Sequence, residues 1–197
     1  MSHYYINDET LSHDLKNIDI TINQTTLKFQ TDKGVFSKTG LDYGTRVLLE
    51  NIHLNDQEIK VIDMGCGYGP IGLYVAKTYP KSFVYMIDVN QRAVDLVLKN
   101  KELNRIKNVE ISQGFLFENI KHQVDVILTN PPIRAGKQVV FALYEQAYQQ
   151  LNSGGILYVV IQKKQGAPST KEKLESLFGH VEVLDKNKGY WILSAKK

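Results

Sequence analysis

The sequence predicts an α/β fold: an open, doubly wound sheet of seven strands ending in a reversed hairpin, with a short β ribbon at the N-terminus. Three observations carry this. From Lys60 onward, short apolar runs rich in Val and Ile alternate with segments of helical periodicity, as parallel strands covered on both faces do. The last two runs, "HVEVLD" and "YWILSAKK", are separated only by "KNKG", which is too short for a helical crossover, so they pair antiparallel. Ahead of these, "IDITIN" places Ile18, Ile20 and Ile22 at alternate positions, and "TLKF" repeats the habit with Leu27 and Phe29. That pattern gives a two-strand ribbon with one buried face, a lid or flank of the main domain.

The elements follow in order. "LDYGTRVLLENI" reads as a helix, with Val47, Leu48 and Ile52 on one face. "KVIDMG" is a buried strand, "PIGLYVAKTY" a helix and "FVYMID" a strand. "QRAVDLVLKNKELN" is an amphipathic helix that turns Ala93, Val94, Val97 and Leu98 inward. "NVEIS" and "VDVILTN" are strands, "QVVFALYEQAYQQL" a helix and "GILYVVIQ" a strand. Ser169 followed by Glu172 has capping-box spacing and is expected to open the helix "TKEKLESLF".

Composition excludes several classes. The 197 residues suit one domain with a real core. Cys66 is the only cysteine, so no intrachain disulfide forms, and no Cys/His cluster has metal-ligand spacing. The N-terminus "MSHYYINDET" lacks the apolar stretch of a signal peptide, and no apolar run approaches membrane-spanning length. The expectation is a cytoplasmic protein with no membrane association. A net charge of +3 permits a nucleic-acid partner without demanding one.

Two strand ends carry the chemistry. "VIDMGCGYGPIG" follows the first strand of the main sheet and opens a helix, with Pro70 in the first turn, where its missing N–H costs nothing. Gly65, Gly67 and Gly69 allow a tight turn and close approach of backbone to a ligand. The next strand ends in Asp88, where such folds hydrogen-bond ribose hydroxyls. Gly67 to Gly72 matches G-x-G-x-x-G, which by itself suggests a nicotinamide dinucleotide and an oxidoreductase. Asp63 at the head of the loop argues against a pyrophosphate and for a cationic ligand. S-adenosylmethionine, with a sulfonium, an amino group and a ribose but no phosphate, fits those charges better.

The second site is "LTNPPIRAGK", residues 128–137. An apolar strand delivers the polar Asn130 to its tip, and Pro131 and Pro132 then stiffen the chain and remove N–H groups. The carboxyl ends of parallel strands are where open α/β sheets bind ligands.

The stretches "FSKTGLDYGT", "VIDMGCGYGPIG", "MIDVNQRAV", "LTNPPIRAGK" and "LNSGGILYVV" resemble the class I S-adenosylmethionine-dependent methyltransferases with a Rossmann-like fold. More narrowly, they are similar to the small-subunit ribosomal RNA guanine-N2 methyltransferases. The resemblance runs from about residue 30 to the end. It implies a methyltransferase domain over 36–197, with 1–35 as the ribbon or flank. It also implies S-adenosylmethionine as cofactor and ribosomal RNA or the small ribosomal subunit as partner. Asp63, Gly65 and Gly67 would line the methionine part of the cofactor, Asp88 the ribose, and Gln113 or a main-chain group near Gly114 the adenine. Asn130, Pro131 and Pro132 match the [ND]-P-P motif of enzymes that methylate exocyclic or amide nitrogens. A protein glutamine amide is the alternative acceptor. These enzymes usually carry Tyr or Phe after the prolines to stack on the target base; here the residue is Ile133, and Phe36 or Tyr43 would supply another face.

Around these sites, Arg134 and Lys137 flank the proline loop and would meet RNA phosphate, with Lys33, Lys38 and Arg46 extending that face. Asp42 and Thr45 have two readings: part of a cofactor lid, or a helix start capped by Asp42 or Thr39.

Overall fold

The computed structural model describes residues 14–32, 40–55 and 57–197. The expectations for Phe36, Lys33, Lys38 and Thr39 lie outside the described residues. The ribbon is β1 (Lys16–Ile22) and β2 (Thr25–Thr31), joined through Asn23 and Gln24. Both turn residues have positive φ, 44° and 69°, as tight hairpin turns require.

The main sheet is built from β3 (Lys60–Met64), β4 (Phe83–Asp88), β5 (Val109–Gln113), β6 (Val124–Thr129), β7 (Leu151–Gln162), β8 (Val181–Asn187) and β9 (Tyr190–Lys196). Their order is β5-β4-β3-β6-β7-β9-β8. The strands from β3 to β7 pair in parallel, and β9 runs antiparallel between β7 and β8. The predicted seven-stranded, doubly wound sheet with a reversed hairpin is therefore the fold found.

The helices are α1 (Tyr43–Asn51), α2 (Pro70–Thr78), α3 (Gln91–Leu103), α4 (Lys137–Gln150) and α5 (Ala167–Phe178). None is long and apolar enough to cross a membrane. Alternation along β3 divides the core. Val61 joins a cluster with α1, α2, α3 and the ribbon, whereas Ile62 and Met64 join one with α4 and α5. Two expectations need correcting. α3 turns Ala93, Val94 and Val97 inward together with Leu96, but Leu98 is 46% exposed and lies on the outer face. α5 begins at Ala167 after Gly166, whose φ of 107° turns the chain, and Pro168 occupies the first turn. Ser169 lies inside that turn and donates to the Gly166 carbonyl at 3.0 Å, so no Ser169–Glu172 capping box opens the helix.

The ribbon is a flank with its apolar face fully committed. Ile20, Ile22, Leu27 and Phe29 are buried in the same cluster as α1 to α3. Its edge is closed by Asn100 on α3 and by Asn104, the C-cap of that helix one turn on. Asn100 accepts from Gln30 N (2.7 Å) and donates to Gln30 O (3.0 Å). Asn104 does the same to Lys28, at 2.9 and 2.7 Å. The two amides satisfy the outward main-chain groups of β2 as a neighbouring strand would, and so blunt an exposed edge. Arg46, expected on an RNA-facing surface, is committed elsewhere. Its guanidinium donates to the Thr21 carbonyl at 2.9 Å and lies 3.6 Å from Glu50, tying α1 to the ribbon.

Candidate active site

The strand order reverses between β3 and β6, and the two loops singled out in the sequence leave the carboxyl ends of these two neighbours. Open α/β sheets form their ligand crevice at such a switch point. Met64 and Thr129 are register partners, and the buried Thr129 hydroxyl donates to the Met64 carbonyl at 2.9 Å. Gly65 and Asn130 follow directly.

The main-chain donors of the glycine loop are spent on the loop and on the strand ends beside it. Gly65 N and Cys66 N donate to Ile87 O at 2.9 and 3.0 Å, and Gly69 N donates to Cys66 O at 2.9 Å. Gly67 N donates to Asp88 Oδ2 and Gly72 N to Asp63 Oδ2, both at 2.8 Å. The amides that cradle a pyrophosphate in dinucleotide-binding loops are thus consumed by protein acceptors, two of them carboxylates. Gly65 and Gly67 have φ of 76° and 57°, and a Cβ on either would stand in open space. A side chain at either position would project into that space.

Two buried carboxylates face each other across the loop. Asp63 is fully buried; Oδ2 is satisfied by Gly72, and Oδ1 has no partner. Burial, opposed by the Gly72 hydrogen bond and reinforced by the charge on Asp88, pushes its pKa up to about 7. Asp88 is anchored by Gly67 N and by Asn90 N, the latter at 2.9 Å to Oδ1. An orphaned buried carboxylate oxygen with a second carboxylate nearby suits a cationic ligand that also carries hydroxyl donors. Cys66, between them, is buried, and burial followed by the charges of Asp88 and Asp63 pushes its thiol up, so it stays protonated and inert.

The end of β5 lies beside Asp88. Gly114 N donates to Asp88 O at 3.0 Å, and the exposed Gln113 side chain donates to Val89 O at 3.1 Å. Phe115, which sequence reasoning passed over, follows Gly114 and is 49% exposed.

After β6, the two prolines impose a definite shape. Pro132 has φ −76° and ψ 76°, and Ile133 N donates back to Pro131 O at 2.8 Å, an inverse γ-turn. A single 3-10 turn, Ile133–Ala135, leads through Gly136 into α4. Ile133 is half-buried and packs on the α4/α5 core. Arg134 is exposed, and Lys137 lies 4.9 Å from the Phe141 ring centre.

Asn130 is half-buried and held from α1. Its amide nitrogen donates to Asp42 Oδ2 at 3.1 Å and to Thr45 Oγ1 at 3.0 Å. Asp42 is also the N-cap of α1, accepting from Thr45 N at 2.9 Å, so the capping reading holds and Thr39 is not needed for it. Tyr43, the first residue of α1, donates to Asn187 at 2.8 Å and tilts against Tyr190, with ring centres 5.8 Å apart. The sequence singled out Asn130 and gave no sign that Thr45 and the Asp42 carboxylate meet it.

Comparison with known proteins agrees with this geometry. Residues 26–194 match the methyltransferase small domain family. The chain is 48% identical to the uncharacterized protein YbxB of Bacillus subtilis, over 99% of this chain and 98% of that one. It is 31% identical to a ribosomal RNA large subunit methyltransferase G of Psychromonas ingrahamii, covering 92% of this chain and 50% of the relative. Among solved structures, the Thermus thermophilus 16S rRNA N2 G1207 methyltransferase RsmC, in complex with AdoMet and guanosine, superposes with a TM-score of 0.84 at 26% identity. That match covers 95% of this chain and 51% of RsmC. The chain spans about half the length of these ribosomal RNA methyltransferases. It belongs to the methyltransferase small domain family, within the class I S-adenosylmethionine-dependent methyltransferases.

Proposed function

We propose that this protein methylates the exocyclic N2 amine of a guanine in small-subunit ribosomal RNA, using S-adenosylmethionine. The observation that carries the reading is the placement of Asn130 one residue beyond β6, beside the glycine loop, with its amide nitrogen turned into α1. In this reading the Asp63 carboxylate faces the cofactor's amino group, Asp88 its ribose hydroxyls, and the Gln113–Phe115 segment its adenine. S-adenosylmethionine supplies an electrophilic methyl carbon on a sulfonium. Asn130 Oδ1 and the second lone pair of the Pro131 carbonyl each accept one N–H of the target amine, which localises the nitrogen lone pair and directs it at that carbon. The amine so held would take the methyl group as the methyl–sulfur bond gave its electron pair to sulfur, and the proton of the alkylated nitrogen would pass to water.

A polyanionic partner is supported by a hollow of about 510 Å³ lined by Gln162, Lys163, Lys164, Lys188 and Gly189. None of the three lysines is in an ion pair among the described residues. Lys188 lies 4.7 Å over the Tyr43 ring, so this basic patch borders α1 and the Asn130 site.

The test is mass spectrometry of ribosomal RNA nucleosides from cells lacking the protein. Loss of one N2-methylguanosine from the small-subunit RNA is expected, restored by the wild-type chain and not by Asn130→Ala. Unchanged small-subunit RNA together with loss of a methylated glutamine would move the reaction to a protein amide.

A further inference from the structure

Asn130 can serve an amine only if its oxygen, and not its nitrogen, faces the crevice. The residues that decide this lie far off in sequence. A carboxylate only accepts, so the atom of Asn130 that meets Asp42 at 3.1 Å must be the nitrogen. Thr45 Oγ1 takes the other amide proton at 3.0 Å and lies 3.4 Å from the same Asp42 oxygen. That oxygen also receives Thr45 N at 2.9 Å, so the first turn of α1 holds it in place. A further restraint comes from β9: the Tyr190 ring lies against Gly44 in the first turn of α1, where a Cβ would stand 2.5 Å from two ring carbons.

We infer that Asp42 is a positioning residue that turns the Asn130 acceptor oxygen toward the target amine, and that it makes this site specific for Asn over Asp at position 130. The inference rests on the reading of Asn130 as the methyl-transfer residue. Its logic is electrostatic. An Asp at 130 would bring a second carboxylate to about 3 Å from the first, and two such groups do not both ionise. They share one proton. With that proton on residue 130, its hydroxyl donates to Asp42 and its carbonyl oxygen faces the crevice, imitating Asn. With the proton gone, the two carboxylates repel and the acceptor is displaced. The other titratable groups facing Asp42 are Tyr190 from β9 and Tyr68 from the glycine loop. Burial, with the Asp42 charge contributing, raises both above the ordinary phenol value, so neither titrates near neutrality.

The experiment measures methyl transfer from tritiated S-adenosylmethionine to small-subunit RNA isolated from cells lacking the protein, across pH 5.5 to 9. Asp42→Ala should lower kcat on the order of 100-fold, the cost of a misplaced group, while KM for the cofactor stays within a few-fold. Asp42→Asn, which keeps an acceptor and a good cap, should fall clearly less. Asn130→Asp should be active at low pH and lose activity as pH rises, and adding Asp42→Asn should abolish that pH dependence. The readout on Asn130→Asp does not depend on how well Asp42→Ala folds. A pH-independent Asn130→Asp enzyme, or an Asp42→Ala enzyme with undiminished kcat, overturns the inference. If Asn130→Ala itself retains full activity, the reading of Asn130 fails instead.

Discussion

The two loops at the switch point solve opposite problems with opposite means. The loop after β3 holds acidic side chains with main-chain amides: Gly72 N on Asp63 and Gly67 N on Asp88, over separations of 9 and 21 residues. The loop after β6 holds an amide side chain with an acid and a hydroxyl, 88 and 85 residues away. The first is a local device, written into one stretch of glycines and the strand that follows. The second exists only after α1 has docked beside β6. The difference teaches that one loop is held by its own strand and the next, whereas the side chain at the tip of the other is oriented by an element far away in sequence.

The largest expected effect separates the loops outright. Asn130→Ala should cut kcat by about 3–4 kcal/mol, 10²- to 10³-fold, the usual cost of one preorganised hydrogen-bonding group. Affinity for S-adenosylhomocysteine, measured by calorimetry, should stay within a few-fold. Equal losses in both would mean that the loops are not separate devices.

The same contrast explains how much was legible. The strand alternation from Lys60, the "KNKG" hairpin and the glycine loop are short-range patterns, and each appears as expected. The place of Asn130 at a strand tip was legible because its prolines are its neighbours. Its partners were not. "LDYGT" shows a helix cap, and nothing in its spacing says that the capping carboxylate also meets a residue at position 130. Arg46 read as a surface cation for the same reason, because its acceptor, the Thr21 carbonyl, belongs to the ribbon. The start of α5 went astray on a competing local signal: Ser169 and Glu172 have capping spacing, but Gly166 and Pro168 turn the chain earlier.

A second prediction asks how self-contained the glycine loop is. Asn100 grips β2 and also donates to the Tyr68 carbonyl in that loop at 2.8 Å. Asn100→Ala strands the Gln30 N–H, the Gln30 carbonyl and the Tyr68 carbonyl. The expected cost is about 2–3 kcal/mol, a fall in melting temperature of roughly 5–10 °C by scanning calorimetry. Cofactor affinity at 20 °C should change little, because the hydrogen bonds from Gly67 and Gly72 remain. A collapse of affinity would tie the loop to the ribbon and weaken the contrast.

The smallest effect lies within the first loop and has a definite sign. Asp63 has a folded-state pKa raised from 3.8 to about 7. Its native form therefore holds a proton that the unfolded chain has released. Its contribution to the stability of the ligand-free protein is fully present below pH 3.8 and is lost as pH rises through about 7. Binding an ammonium group reverses the preference, because the ligand needs the carboxylate ionised. Affinity for S-adenosylhomocysteine should therefore tighten by up to about tenfold for each unit that pH rises toward neutrality and level off above pH 7, with a proton released on binding at pH 6. Asp63→Asn should bind more weakly and lose this dependence. A flat wild-type profile would mean that Asp63 is already ionised without ligand, and that the glycine loop, like the proline loop, takes its charge balance from elsewhere in the fold.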